Sequence, residues 1–335
     1  MSLPQPYDRW LVELVGGPLP QEARATCHDC VMCGPEVHGG TFHPQTRCCT
    51  YVPRLPNYQV GRVLEDTDPT AAEGRAGVLR RLAGPGGISP LGIEVTEDIQ
   101  ALYDRIVAEN GFGRTGELRC PHHLDDGRCG VWKYRNGICA TWFCLHEDGA
   151  LAQRFWDATQ RLFTEVERAI GFYVARCVRY PEGVVDDRAA DDALYAGDWG
   201  PWAGRPADFY RACARVFMSL SWTRVRQLGG NHLNRICDEV RSLYTARTAP
   251  LPARLWSNQA AWEGPVLGEK VYAYSSVDYV KVPQDVMDNI ELFDGRRVTD
   301  VLTQMAELGV HVDPDLLRQL RAFEVLVPDA PTRDA

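Results

Sequence analysis

The chain has 335 residues, a hydrophobic content of 45%, a charged content of 24% and a formal net charge of −9. These values exclude wholesale disorder, and the negative charge argues against nucleic-acid binding, which requires a basic face. No segment reaches the roughly 18 apolar residues of a membrane helix. The N-terminus lacks a basic start followed by an apolar run, so no secretory signal is expected. The sequence predicts a cytoplasmic protein with no membrane association.

The first half of the chain is expected to alternate helices with loops. A helical turn is expected around Trp10, and residues 26–64, which are rich in cysteine, glycine and proline, are expected to form loops. A helix is predicted at 97–109, with Thr96 as its N-cap. Residues 117–147 are predicted to return to cysteine-rich loops with short strands.

The middle of the chain is predicted to be helical. Apolar residues recur every three or four positions over 151–178, which indicates a long amphipathic helix. Residues 181–206 are acidic and glycine-rich, which favours a long loop, either a functional lid or a flexible insertion. Helices are predicted at 206–221 and 231–246, separated by Gly229-Gly230.

The last part of the chain changes character. The alternation in residues 271–283 predicts a strand, and two short helices are expected at 297–308 and 314–323. In all, the sequence predicts a lead-in (1–25), a cysteine-cluster metal-binding domain (26–150), a helical domain (151–250) and a C-terminal module (255–335).

Nine of the 12 cysteines lie between Cys27 and Cys144. In a reducing cytosol, clustered cysteines are more often metal ligands than disulfides. The first group has two C-x2-C steps followed by an adjacent pair, which puts three thiols on one tight loop and two more nearby. Its members are Cys27, Cys30, Cys33, Cys48 and Cys49.

The second group has the spacing C-x8-C-x9-C-x4-C, formed by Cys120, Cys129, Cys139 and Cys144. Four thiols on loops within 25 residues can converge on one ion or cluster. Aromatic residues are interleaved with them and are expected to form a dry shell around the sulfur atoms. These residues are Trp132, Tyr134, Trp142 and Phe143.

Five histidines accompany the two groups: His28, His38, His43, His122 and His123. Imidazole is a possible metal ligand, but these loop histidines are expected to be solvated or to lie behind the ligands. The three remaining cysteines, Cys177, Cys213 and Cys237, share helix faces with apolar residues. They are therefore expected to be buried core thiols rather than ligands.

The second group resembles the YkgJ-like family of zinc- or iron-chelating cysteine-cluster proteins. The segments CPHHLDDGRC and CGVWKYRNGIC match the family's cysteine spacing, with Leu124, Asp126, Gly127 and Arg135 in matching positions. Asn136 stands where the family has proline, and the cysteine pair of the first motif is displaced to Cys48-Cys49. Flagellin lysine-N-methylases resemble the same family, so the resemblance implies an iron-sulfur-dependent protein-modifying enzyme as one possibility.

The number of cysteines bears on the metal. Two zinc sites, one [4Fe–4S] cluster with spare thiols, or two clusters all fit nine cysteines, and thiolates suit both metals. The aromatic surroundings and the unequal ligand spacing favour iron-sulfur. The first hypothesis is an iron-sulfur redox or protein/peptide-modifying enzyme. The alternative is a non-catalytic zinc protein with a structural or partner-binding role. No catalytic residue is identified.

The C-terminal module resembles small PqqD-like winged-helix domains, which bind leader peptides. The match rests on the segment LFDGRR at 292–297, the apolar faces of the two short helices, and the closing Val325-Leu-Val. The resemblance implies a peptide or protein partner. The expected fold is therefore α+β and mostly α, with an irregular cysteine-rich domain packed on a helical layer and a winged-helix-like module at the end.

Overall fold

The computed structural model describes residues 3–25, 27, 29–34, 40–183, 186–259 and 266–331. It is 53% helical with small antiparallel sheets, which confirms the predicted α+β, mostly α class. The helices are α1 (Tyr7–Val15), α2 (Asn57–Glu65), α3 (Ala72–Ala83), α4 (Glu97–Ala108), α5 (Gly137–Thr141), α6 (Gly149–Arg179), α7 (Asp187–Tyr195), α8 (Pro206–Met218), α9 (Trp222–Thr248), α10 (Gln284–Asp288), α11 (Val298–Glu307) and α12 (Pro314–Ala322). No helix in these ranges is long and apolar enough to cross a membrane.

The strands form three small sheets, each of three strands. They are β1 (Leu55–Pro56), β2 (Ile88–Ser89), β3 (Gly92–Ile93), β4 (Arg254–Ser257), β5 (Val266–Leu267), β6 (Lys270–Val271), β7 (Val280–Lys281), β8 (Asp294–Arg297) and β9 (Leu326–Val327). Their spatial orders are β1-β3-β2, β8-β4-β9 and β5-β6-β7. Every pairing in the three sheets is antiparallel.

The larger hydrophobic core is built around α6. Phe155, Leu162 and Val166 are buried at intervals that keep one stripe of the helix towards the interior. Helix α6 packs against α5, α8 and α9, and α2 packs against α8. Gly61 permits the contact between α2 and α8, because a Cβ at this position would lie 1.9 Å from the carbonyl oxygen of Tyr210.

Several predicted helices agree with the structure. The periodicity over 97–109 and 151–178 corresponds to α4 and α6, and the two short C-terminal helices correspond to α11 and α12. Trp10 is fully buried in α1, which is longer than the single expected turn. Thr96 precedes α4 in an extended conformation, but its side chain makes no capping hydrogen bond.

Two segments that were predicted to be loops contain helices. Helix α2 lies at the end of 26–64, where its burial against α8 overrides the local glycine and proline content. Helix α7 lies within 181–206. The Asp186 side chain caps it by accepting hydrogen bonds from the backbone N–H groups of residues 188 and 189, and Leu194 packs into the core. The prediction of one long loop at 181–206 is therefore wrong.

Helix α9 consists of two helical segments joined at a kink. The first segment, which begins at Trp222, was not predicted, and the Ser221 side chain caps it by accepting a hydrogen bond from the backbone N–H of Arg224. The expected break at Gly229-Gly230 is present, because Gly230 adopts the non-helical angles φ 58° and ψ −151°. The second segment follows Gly230, in agreement with the predicted helix at 231–246.

The C-terminal residues form a second core. Sheet β8-β4-β9 packs with α11 and α12 around Leu255, Val301 and Leu320, which are fully buried. The predicted continuous strand at 271–283 is wrong, because only its ends pair, as β6 and β7. The residues between them form a loop that turns a buried carboxylate, Asp278, towards the rest of the protein.

Candidate metal centre

All nine cysteines of the predicted ligand pool lie in one region, and all 12 cysteines of the chain are free thiols. A cavity of about 910 Å³ has six of the nine on its walls: Cys27, Cys48, Cys49, Cys120, Cys129 and Cys139. A smaller cavity of about 50 Å³ shares some of these and adds Cys30 and Cys144. Cys33 lies beside Cys30, close enough for a hydrogen bond between the two thiols. The structure thus unites the two groups that the sequence presents separately.

A backbone hydrogen bond joins the two groups directly. The backbone N–H of Cys120 donates to the carbonyl oxygen of Cys49 at 2.7 Å. The adjacent pair lies on a tight turn in which Arg47 adopts a positive φ of 53° and the Cys49 N–H donates to Thr46. This turn projects the Cys48 and Cys49 thiols towards the residues around Cys120.

A short hairpin carries Cys120 and Cys129. His123 and Cys129 form an antiparallel bridge, and Gly127 makes the turn with φ 85°. Gly130 follows and packs directly on α3, where a Cβ on Gly74 would lie 1.8 Å from the Gly130 carbonyl oxygen. The close backbone contact with α3 therefore fixes the position of the loop that bears Cys129.

Cys139 is placed by the short helix α5. The Asn136 side chain caps this helix by accepting a hydrogen bond from the backbone N–H of Cys139 at 3.0 Å. The Gly137 N–H donates to the Glu167 carboxylate on α6 at 2.6 Å, and that carboxylate also accepts from the Tyr7 hydroxyl at 2.9 Å. Burial raises the pKa of Glu167 to about 8. Helix α5 is thus attached to the larger core through the carboxyl group of Glu167.

A buried carboxylate on each side of the region holds the segments next to Cys27 and Cys144. The Glu22 carboxylate accepts hydrogen bonds from the Trp156 indole and from the Glu147 backbone N–H, both at 2.7 Å. Burial raises the pKa of Glu22. These bonds hold the segment that precedes Cys27 against the start of α6.

Asp278 makes the second of these attachments. Its carboxylate accepts from the Arg24 guanidinium at 2.8 Å and from the His146 backbone N–H at 3.0 Å. The Tyr274 hydroxyl also donates to it. Through these contacts the C-terminal residues hold both chain segments that flank the cysteine region.

Several thiols of the region have a raised pKa. Burial raises the pKa of Cys30 and of Cys120 to about 12 and that of Cys144 to about 11. Burial also raises the pKa of Cys139 well above its usual value, and the thiolates of Cys120 and Cys129 raise it further. Without a metal these thiols are protonated at neutral pH, so metal binding must release protons.

Arg135 lies among the thiols. Its side chain is buried, with the residue 5% exposed, and its guanidinium lies over the Trp132 ring at 3.5 Å from the ring centre. Its Nε donates to the Trp132 carbonyl oxygen at 3.1 Å. Burial lowers its pKa, and the thiolate forms of Cys129, Cys139 and Cys27 oppose that lowering. This arginine is a cation at the wall of the cavity.

The aromatic residues divide between the cavity and the core. Trp132, Tyr134 and Trp142 line the cavity as expected. Phe143 instead packs into the larger core, 4.7 Å from the Trp156 ring, and this part of the prediction is wrong. Alternation of direction after α5 explains the difference, because consecutive residues in an extended segment point to opposite sides.

The histidine predictions are corrected in part. His122 is buried, not solvated, and neither of its ring nitrogens has a hydrogen-bond partner in the described structure. Burial and the Arg81 cation lower its pKa to about 4. His123 is half-buried and accepts from Arg119 at 3.1 Å, and His43 is half-buried on a turn. His28 and His38 lie outside the described residues.

Within the ranges that the structure describes, no three His, Cys, Asp or Glu side chains meet closely enough to hold one metal ion. The thiols instead lie around the cavity walls. Of the three cysteines assigned to the core, Cys213 and Cys237 are fully buried there, as predicted. Cys177 is half-buried on α6.

The sequence reasoning missed three acidic residues that support the region: Glu22, Glu167 and Asp278. None of them belongs to a motif, and only their burial identifies them. No protein-family model, curated protein or solved structure matches this chain.

Proposed function

We propose that this protein binds one or two iron-sulfur clusters, with [4Fe–4S] favoured, and acts as a cytoplasmic redox or protein/peptide-modifying enzyme. The observation that carries the proposal is the convergence of nine cysteines on one cavity region. Their ligand pool is Cys27, Cys30, Cys33, Cys48, Cys49, Cys120, Cys129, Cys139 and Cys144.

The arrangement of the thiols supports a cluster over a single zinc ion. Tetrahedral zinc–thiolate bonds of about 2.3 Å require sulfur atoms within roughly 4 Å of one another. In an iron-sulfur cluster each cysteine can bind a different iron atom, so the ligands surround a larger object. Thiols spread over the walls of a cavity suit the second arrangement. When bound, the cluster would supply one-electron chemistry at this position.

The size of the cavity supports an enzyme over a purely structural metal site. A volume of about 910 Å³ lies in the range of small-molecule binding pockets, roughly 300–1,000 Å³. Trp132, Tyr134 and Tyr51 provide apolar wall, and the basic side chains of Arg128 and Lys133 lie at the same cavity. The cavity therefore has space for a substrate beside the thiols.

Two further proposals, one on the cysteine-rich region and one on the C-terminal residues, rest on the sequence motifs. We propose that residues 26–150 form a YkgJ-like cysteine-cluster domain and that residues 255–335 form a PqqD-like winged-helix module with a peptide or protein partner. A three-stranded sheet with two helices in the C-terminal core supports the second proposal. No nucleic-acid partner is proposed.

Anaerobic purification followed by a visible spectrum and analysis for iron, sulfide and zinc tests the metal. We expect a brown protein with iron and sulfide in comparable amounts. A colourless protein that contains only zinc would overturn the proposal and favour the alternative, a non-catalytic zinc protein.

Two cysteines, Cys139 at the cavity and Cys237 in the core, provide a pair of variants for comparison. Cys139→Ala removes a thiol from the cavity, whereas Cys237→Ala removes a fully buried core thiol on α9. We expect iron content to fall in the first variant and to stay at the wild-type level in the second. Equal iron content in both would contradict the assignment of Cys139 to the ligand pool.

A further inference from the structure

Arg135 is buried at the wall of the cavity that the thiols line, a position that packing alone does not explain. It is 5% exposed, and it lines the same cavity as Cys27, Cys129 and Cys139. Cys129 and Cys139 flank Arg135 in the sequence, whereas Cys27 is more than 100 residues away and reaches the same cavity only through the fold.

The local contacts fix the guanidinium at this place. It stacks on the Trp132 ring at 3.5 Å, and its Nε donates to the Trp132 carbonyl oxygen at 3.1 Å. A planar guanidinium suits such stacking, and it keeps its charge when buried. A cation is therefore held in place before any ligand binds.

Thiolates are the form in which cysteines bind metals, so every bound cysteine adds a negative charge to the region. Taking such charges out of water is expensive unless an opposite charge lies close by. Arg47 also acts on Cys27 and Cys48, but its side chain donates to the Cys27 carbonyl oxygen on the surface. Arg128 lines the same cavity and is engaged by Asp126.

We propose that Arg135 is the counter-charge of the metal centre, which offsets the negative charge of the thiolates of Cys27, Cys129 and Cys139. This inference rests on the proposed iron-sulfur function. Reduction adds one electron, and hence one negative charge, to the centre. A fixed cation beside it stabilises the reduced form and raises the reduction potential.

The test compares three variants of the full chain purified anaerobically: Arg135→Gln, Arg135→Lys and Arg128→Gln. The midpoint potential is measured by titration with sodium dithionite and redox dyes, followed by the visible spectrum. Iron retention is measured during incubation with a chelator. Arg128→Gln is the matched control, because Arg128 lines the same cavity but is exposed and paired with Asp126.

We expect Arg135→Gln to shift the potential to more negative values and to retain metal about tenfold to a hundredfold less well. Arg135→Lys should keep a potential close to that of the wild type because it keeps the charge. Arg128→Gln should match the wild type in both measurements.

Two results would overturn the inference while leaving the proposed function in place. One is a potential for Arg135→Gln equal to that of Arg128→Gln. The other is equal loss of the cluster in the Gln and Lys variants of Arg135 with unchanged thermal unfolding, which would show that guanidinium shape matters rather than charge. A wild-type protein without iron would instead overturn the proposed function, and the inference with it.

Discussion

Gly74 and Gly77 lie one turn apart on α3, and the structure predicts opposite effects when each is replaced by alanine. A Cβ on Gly74 would lie 1.8 Å from the Gly130 carbonyl oxygen and 2.6 Å from its carbonyl carbon. Both atoms belong to the backbone, so no side-chain rotation can relieve the overlap. A Cβ on Gly77 would lie 3.7 Å or more from any neighbour, which is ordinary contact.

The magnitudes follow from two opposing effects. Alanine is favoured over glycine within a helix by about 0.8–1.0 kcal/mol, and both variants gain this. Overpacking of a tight contact costs about 1–3 kcal/mol, and only Gly74→Ala incurs it. We therefore expect Gly77→Ala to raise the free energy of unfolding by up to about 1 kcal/mol. Gly74→Ala should lower it by up to about 2 kcal/mol.

Urea unfolding followed by far-ultraviolet circular dichroism measures both values on the same preparation. Gly74→Ala should also reduce metal retention, because Gly130 follows Cys129 and its N–H donates to His122. If both variants change stability in the same direction, the close contact between α3 and the Cys129 loop does not exist as described. Normal metal retention in a destabilised Gly74→Ala would show that the loop adapts without moving its thiol.

Two further substitutions test the buried carboxyl groups. Asp278→Asn should lower the free energy of unfolding by about 2–3 kcal/mol. This is below the usual range for a broken buried ion pair because the Arg24 side chain is 34% exposed. The control is Asp238→Asn, which breaks an exposed ion pair, and an equal loss of stability in the control would refute the reasoning. Because burial raises the pKa of Glu167 to about 8, the native state keeps this proton while the unfolded chain loses it, so stability should decline as pH rises from about 4.5 to 8. In Glu167→Gln the free energy of unfolding should fall by a few kcal/mol less over the same pH range, as measured by urea unfolding at several pH values. An unchanged dependence on pH would show that Glu167 is ionised in the native state.

Long periodic segments were the features that the sequence predicted well. Helices α4 and α6 follow from apolar residues that recur every three or four positions. This pattern lies within each helix and does not depend on the loops that flank it. Helix α7 could not be predicted in this way. Its cap, Asp186, is a local feature, but the burial of Leu194 in the larger core depends on tertiary packing that no periodic pattern reveals.

The ligand pool is the part of the site that the sequence could suggest, because cysteine clusters carry a chemical meaning at any spacing. The sequence could not show that the two groups share one region, since this depends on the hydrogen bond between Cys120 and Cys49. The sequence marks Arg135 as a motif position but gives it no role. Its burial at the cavity separates it from Arg128, which is exposed at the same cavity.

The core positions part of the cysteine-rich region, whereas its thiols are carried largely by loops. Cys139 stands on a helix that Glu167 attaches to α6, and the Cys129 loop rests on α3, so these thiols are positioned by packing that needs no metal. A metal would therefore find Cys129 and Cys139 already positioned by the packing of the core, and we expect the larger core to stay folded when the metal is removed.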